Sequence, residues 1–212
     1  MIRKLLLAAA ALCLSAGAHA APADRASSSK SDDIRMMHDL ARCVADRNSI
    51  QVRRLLATDY RDSGYPHSMR RLAEDADGCL PFFGSLKMAN LLLAGSLAEA
   101  MLRNMAAPSL PLARALAHDP AQPAVAARDE GEYLGLCVAR TMPAAVEALL
   151  ATTPESEAEK SAIAAIGPGI APCVRAGSSA RINRPGLRAL LALAAYRVFT
   201  LSSAGASRRA GS

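Results

Sequence analysis

Two short segments of the 212-residue chain set a hydroxyl and a cation two residues apart, Ser85 with Lys87 and Ser179 with Arg181. Each pair immediately precedes an apolar stretch with helical character. A hydroxyl, a positive side chain and a helix N-terminus together suit a small anion or a carboxylate. The serine can equally cap the helix while the cation stays in water. Ser85, Lys87, Ser179 and Arg181 are the candidate ligand-binding residues.

Other patterns that carry chemistry are thin. The acidic groups Glu74-Asp75-Asp77 and Glu155-Glu157-Glu159 contain carboxylate pairs of the type that cleave glycosides, but they fall where a solvated helix face is expected. His38, His67 and His118 have no second histidine or carboxylate at metal-ligand spacing, and His38 and His67 read as surface residues. The sequence contains no G-x-S-x-G, no G-x-G-x-x-G, no phosphate-binding loop and no H-E-x-x-H. No residue is assigned as catalytic or as a metal ligand, and no cofactor is implied.

The positions of the cysteines follow from an internal similarity. LARCVADRNSIQVRRLLAT, from Leu40, aligns without a gap on LGLCVARTMPAAVEALLAT, from Leu134, at an offset of 94 residues. The same offset lays Cys43 on Cys137, Cys79 on Cys173, Ser85 on Ser179, Lys87 on Arg181 and Arg103 on Arg197. If both copies fold alike, each places its own two cysteines alike, which selects Cys43–Cys79 and Cys137–Cys173. Bridges between copies, a Cys₄ zinc site and catalytic thiols are the rival readings. Zinc sites use close cysteine pairs and redox sites a C-x-x-C, and neither pattern is present.

Helices must position these residues. Hydrophobic residues make up 51 % of the chain but aromatics only 3 %, so a core has to be built from Leu, Ala, Ile, Val and Met. Ala, Leu and Met lead the helix scale, strand formers are thin, and no stretch alternates at period two long enough to argue for a sheet. The length excludes a large barrel enzyme. Each copy reads as four helices. The first runs over about 33–46 with Ile34, Met37, Leu40, Ala41 and Val44 on one face, and the second over 49–57 with Asn48 at its cap. The third covers about 66–76; its counterpart is opened by Thr153-Pro154-Glu155 and closed by Gly167-Pro168-Gly169. The fourth is the most apolar, over 90–104 and 185–200, and Gly95-Ser96 within it suggests close packing. The predicted fold is all-α: two pseudo-equivalent four-helix units, 32–105 and 126–201, each with one disulfide, joined by a linker over 106–125 in which 108–119 reads as a short connecting helix.

The ends of the chain read differently. Residues 1–20, MIRKLLLAAAALCLSAGAHA, have a basic start, a short apolar run and a small-x-small end, the pattern of a signal peptide cut after Ala20. The apolar run is too short to span a membrane, so no transmembrane segment is expected after cleavage. Residues 21–31 and 202–212 are small and polar and are expected to be disordered. The formal charge of +6 falls to +4 without Arg3 and Lys4, a mild excess that implies no nucleic acid partner. Export to the periplasm or beyond also suits paired cysteines.

The combination CVA…LLAT…GCL…SLKMANLLLAGSLAEAMLR, spread over most of residues 35–200, resembles that of small, all-helical exported proteins of alphaproteobacteria with paired cysteines. The resemblance implies compartment and fold and brings no activity with it. The expected function is a non-enzymatic binding or scaffolding module for a protein, peptide or envelope component. A small periplasmic hydrolase with a shallow site near Ser85/Lys87 or Ser179/Arg181 is the alternative. A periplasmic folding or stress factor with an exposed apolar groove is a third reading. An apolar groove lined by Met88, Leu92 and Leu93 would favour the binding module, and charge in a deep cleft the enzyme.

Overall fold

The computed structural model describes residues 30–75, 78–79, 89–105, 111–120, 124–178 and 182–210. Among them every regular element is helical: α1 (Lys30–Arg47), α2 (Ser49–Ala57), α3 (Tyr65–Glu74), α4 (Asn90–Met105), α5 (Leu112–Leu116), α6 (Glu130–Thr141), α7 (Pro143–Ala151), α8 (Glu157–Ile170) and α9 (Arg184–Ala210). A 3-10 turn over Ala171–Cys173 follows α8.

Local chemistry accounts for most of the boundaries. Asp32 and Asp33 in the first turn of α1 and Arg47 in its last complement the helix dipole. Pro143 opens α7, where a missing N–H costs nothing. Asp129 caps α6 by accepting from the Glu132 N–H, and Ser156 caps α8 by accepting from the Glu159 N–H. In both helices that glutamate reaches back, Glu132 to the Arg128 N–H and Glu159 to the Glu155 N–H, closing a reciprocal cap.

Several expectations are corrected. Asn48 precedes α2 but makes no side-chain cap; its amide donates instead to the Asp75 carbonyl at 3.4 Å. The cap of α8 is Ser156, not Thr153, and Glu155 before it adopts a left-handed φ of 61°. Gly167-Pro168-Gly169 does not end α8, which runs on to Ile170 with Pro168 inside it. So near the C-terminus the proline removes only one N–H, and Gly169 is needed for contact: a Cβ there would lie 1.9 Å from the Met142 sulfur. Helix α9 continues through Ala210 where a disordered tail was expected from 202, because Ala, Ser and Arg offer no proline to stop it. The connecting helix expected over 108–119 is present as the shorter α5, whose Leu112, Ala115 and Leu116 are buried.

One hydrophobic core runs through the molecule, with α4 and α9 packed on each other at its centre. Helix α1 packs on α4 and α6 on α9; α2 and α3 lie outside the first group, α7 and α8 outside the second, and α5 fills the space beside α7 and α9. The central helices meet very closely at Gly95, where a Cβ would fall 2.4 Å from the Ala189 Cα. The expected apolar face of α1 is the buried one.

Both disulfides form as expected, Cys43–Cys79 and Cys137–Cys173, each spanning 36 residues with Cα atoms 5.6 Å apart. Each ties the first helix of its group to the segment after the third. Among the described residues no single helix is long and apolar enough to cross a membrane; α6 and α7 pass only as a pair, bent by 104°.

Candidate functional site

The predicted ligand residues Ser85, Lys87, Ser179 and Arg181 lie outside the described residues. The chain beside them, at the starts of α4 and α9, forms a shallow cleft of about 410 Å³ lined by Leu91, Ile182, Asn183, Gly186 and Leu190. Of the proposed groove residues, Leu92 and Leu93 are half-buried and Met88 is outside the described residues.

The densest polar chemistry is interior. Arg188, on α9, is 1 % exposed. Its Nε and Nη2 donate to both carboxylate oxygens of Glu99 on α4 at 2.8 Å, its Nη1 to Glu159 on α8 at 3.0 Å. Thr152 accepts twice more, through Oγ1 at 3.0 Å and its carbonyl at 2.8 Å. Glu99 and Glu159 are as buried as the arginine. Glu99 also accepts from Arg103 at 2.8 Å, and Glu159 pairs with Arg184 at 3.2 Å. Arg184 continues to Glu155, whose carboxylate accepts from the Ser31 hydroxyl at 3.0 Å. Three guanidiniums thus meet three carboxylates along a path from α4 through α9 to the α8 cap.

His38 closes the α1 side of this path. It is buried, not on the surface as expected, with Nδ1 3.7 Å from Glu99 and without a hydrogen-bond partner among the described residues. Burial pushes its pKa down from 6.5 to about 4; Glu99 opposes this, while Arg188, Arg103 and Arg42 reinforce it. The imidazole is therefore neutral at pH 7. Burial also works against the charge of Arg188, but Glu99 and Glu159 more than offset it and raise its pKa. Glu159 corrects the expected solvated acidic face, since only Glu157 of that trio is well exposed.

A second centre joins the α2–α3 loop to α6. Arg61 pairs with Asp59 and, at 2.9 Å, with Asp129. A hydrogen bond from Arg61 holds the Asp59 carboxyl down at about 2. Buried Glu132 takes Arg197 Nη1 at 2.5 Å, at an angle that makes an ion pair without a hydrogen bond, while Nη2 donates to the Ala126 carbonyl at 3.1 Å.

Two surface clefts carry cations. The larger, about 600 Å³, includes His118, Asp119, Tyr133, Cys137, Arg140 and Arg175. Its guanidiniums are already engaged: Arg140 donates to the Leu116 and Ala117 carbonyls at the end of α5, and Arg175 stacks on Tyr133 at 3.8 Å and pairs with Glu130 at 2.7 Å. The other, about 430 Å³, lies between α2 and α3 and is lined by Gln51, Arg54, Leu55, Thr58, Ser68, Arg71, Leu72 and Asp75. Buried Leu55 and Leu72 form its floor, and Arg54, Arg71 and Asp75 are exposed at its edge. Comparison with family models, curated proteins and solved structures finds no match to the chain.

Sequence reasoning missed the interior path, although a signal for it exists. The two most apolar helices each carry one charge inside an otherwise uncharged run, Glu99 within LLLAGSLAEAML and Arg188 within PGLRALLALAAY. Opposite lone charges in apolar helices have to be buried together, because an isolated buried charge is too costly.

Proposed function

We propose that the protein is an exported, duplicated, disulfide-stapled binding module that holds a ligand on its surface without transforming it. The observation that carries this reading is how its charge is distributed. The buried charges of the interior path are matched with one another across α4, α8 and α9, and the exposed cations Arg54 and Arg71 line a surface cleft floored by Leu55 and Leu72. Recognition of a ligand at such a cleft needs only placed donors and an apolar floor.

Supporting the duplication, α2 and α7 both start and end 94 residues apart, and α4 and α9 start 94 apart. Gly95 meets Ala189, the residue 94 positions on, which is the self-contact expected on a two-fold axis between equivalent units. Supporting export are the two disulfides and the pattern of residues 1–20, for which we retain cleavage after Ala20 and a periplasmic or secreted location. The resemblance to exported alphaproteobacterial proteins points the same way.

The test begins with protein recovered from the periplasm of an expressing host. Intact mass and N-terminal sequencing should show a chain starting at Ala21 with no free thiols. Thermal shift against phosphorylated, carboxylated and apolar small molecules should then find a compound that raises Tm and is recovered unchanged by mass spectrometry. A chain starting at Met1 with reduced cysteines would sink the export reading. Conversion of a compound to product, or no stabilising compound at all, would sink the binding reading.

A further inference from the structure

The cleft between α2 and α3 stands apart because its charged side chains have no charged partner among the described residues. Among the described residues, Arg54, Arg71 and Asp75 make no ion pair with one another or with any neighbour, and all three are exposed around buried Leu55 and Leu72. The arrangement is two-sided: α2 presents Arg54 beside Leu55, and α3 presents Arg71 beside Leu72. Arg53 and Arg70 adjoin them on the same helices, also exposed.

The other half of the chain serves as an internal control. Arginine in a last helical turn is commonly explained by the helix dipole, worth about 0.3–1 kcal/mol. Yet α7 and α8, in the corresponding places, have no basic residue in their last turns. Positions 94 residues beyond Arg54 and Arg71 are Ala148 and Ala165. Helices of this kind pack without these cations, so neither packing nor the dipole requires Arg54 or Arg71.

Resting on the binding reading above, we propose that the α2–α3 cleft binds a phosphate ester that carries a nearby amine, the chemistry of phosphoethanolamine, free or as a lipid headgroup. Two guanidiniums on opposite walls offer more N–H donors than a carboxylate can accept, and they match the several oxygens of a tetrahedral phosphate. Asp75 repels a second anion and provides an acceptor for an ammonium beside the phosphate. Leu55 and Leu72 give the floor against which the short ethyl chain packs.

The experiment uses the full chain with its disulfides intact. O-phosphoethanolamine and inorganic phosphate are titrated by calorimetry, and vesicles of phosphatidylethanolamine are compared with vesicles of phosphatidylcholine by co-sedimentation. Binding of O-phosphoethanolamine identifies the free compound as a ligand; binding of phosphatidylethanolamine vesicles alone identifies the lipid. In either case Arg54→Ala with Arg71→Ala should weaken binding at least about tenfold, with an unchanged far-UV spectrum and Tm. Asp75→Asn should abolish the preference for O-phosphoethanolamine over inorganic phosphate. The proposal is overturned if the wild-type chain binds neither O-phosphoethanolamine nor the vesicles, if the double variant binds as well as wild type, or if Asp75→Asn leaves the preference intact. Failure here, with a different compound raising Tm in the panel, removes this ligand and leaves the binding reading standing.

Discussion

Replacing Arg188 with Met removes the centre of the interior ion path while keeping an unbranched side chain of comparable length. Five hydrogen bonds are lost, three to Glu99 and Glu159 and two to Thr152. Glu99 and Glu159 stay buried at 1 % exposure, each left with one partly solvated arginine, Arg103 or Arg184. Removing one partner of a buried ion pair costs about 3–5 kcal/mol. The remaining arginines offset part of this, and the stranded Thr152 carbonyl adds to it, so a loss of about 4 kcal/mol at pH 7.5 is expected. Acid should relieve it. Without Arg188, His38 loses a neighbour that depresses its pKa, so the variant's folded state takes up the imidazole proton at a higher pH than wild type does. The deficit relative to wild type should therefore be smaller at pH 5 than at pH 7.5. Urea unfolding followed by circular dichroism measures both quantities. Adding Glu99→Met and Glu159→Gln to Arg188→Met should recover more than half the loss, since neutral replacements strand no buried charge. A loss below about 1 kcal/mol, or an equal loss at both pH values, would refute the reasoning.

Four further outcomes test the rest of the structure. His38 has a folded pKa of about 4 against 6.5 unfolded, so the unfolded chain binds the extra proton and wild-type stability should fall as pH drops through that window, by up to about 3 kcal/mol; His38→Gln should flatten the fall in urea titrations. Cys79→Ser or Cys173→Ser should each cost about 2–5 kcal/mol by the same assay, with peptide mapping showing the other bridge intact. Gly95→Ala forces α4 from α9 at a Cβ distance of 2.4 Å from the Ala189 Cα and should cost about 1–3 kcal/mol. Gly167→Ala, with nothing within 4 Å, should instead stabilise α8 by about 0.5–1 kcal/mol in thermal melts.

The features legible in the sequence are those decided by spacing along the chain. Helical periodicity identified the buried face of α1, and the residues Ile34, Met37, Leu40, Ala41 and Val44 are all inside. Equal separations of 36 residues selected the two disulfides from three possible pairings. Gly95 announced a close helix contact because a glycine inside an apolar helix is costly unless a neighbour needs the space. The misreadings came from residues whose fate depends on distant partners. His38 and Glu159 look like surface residues within their own helices; Glu99, 89 residues from Arg188, and Arg188 itself take them inside. The connecting helix α5 is legible in the sequence, but its place in the core is decided only by α7 and α9 covering it. Arg54 and Arg71 look like ordinary solvated cations, and only the packing of α2 on α3 puts them around one cleft. Periodicity and spacing act over one or two helical turns, so a single chain displays them. The placement of a charge depends on which helices meet, and burial is tolerable only where the opposite charge arrives from elsewhere in the fold.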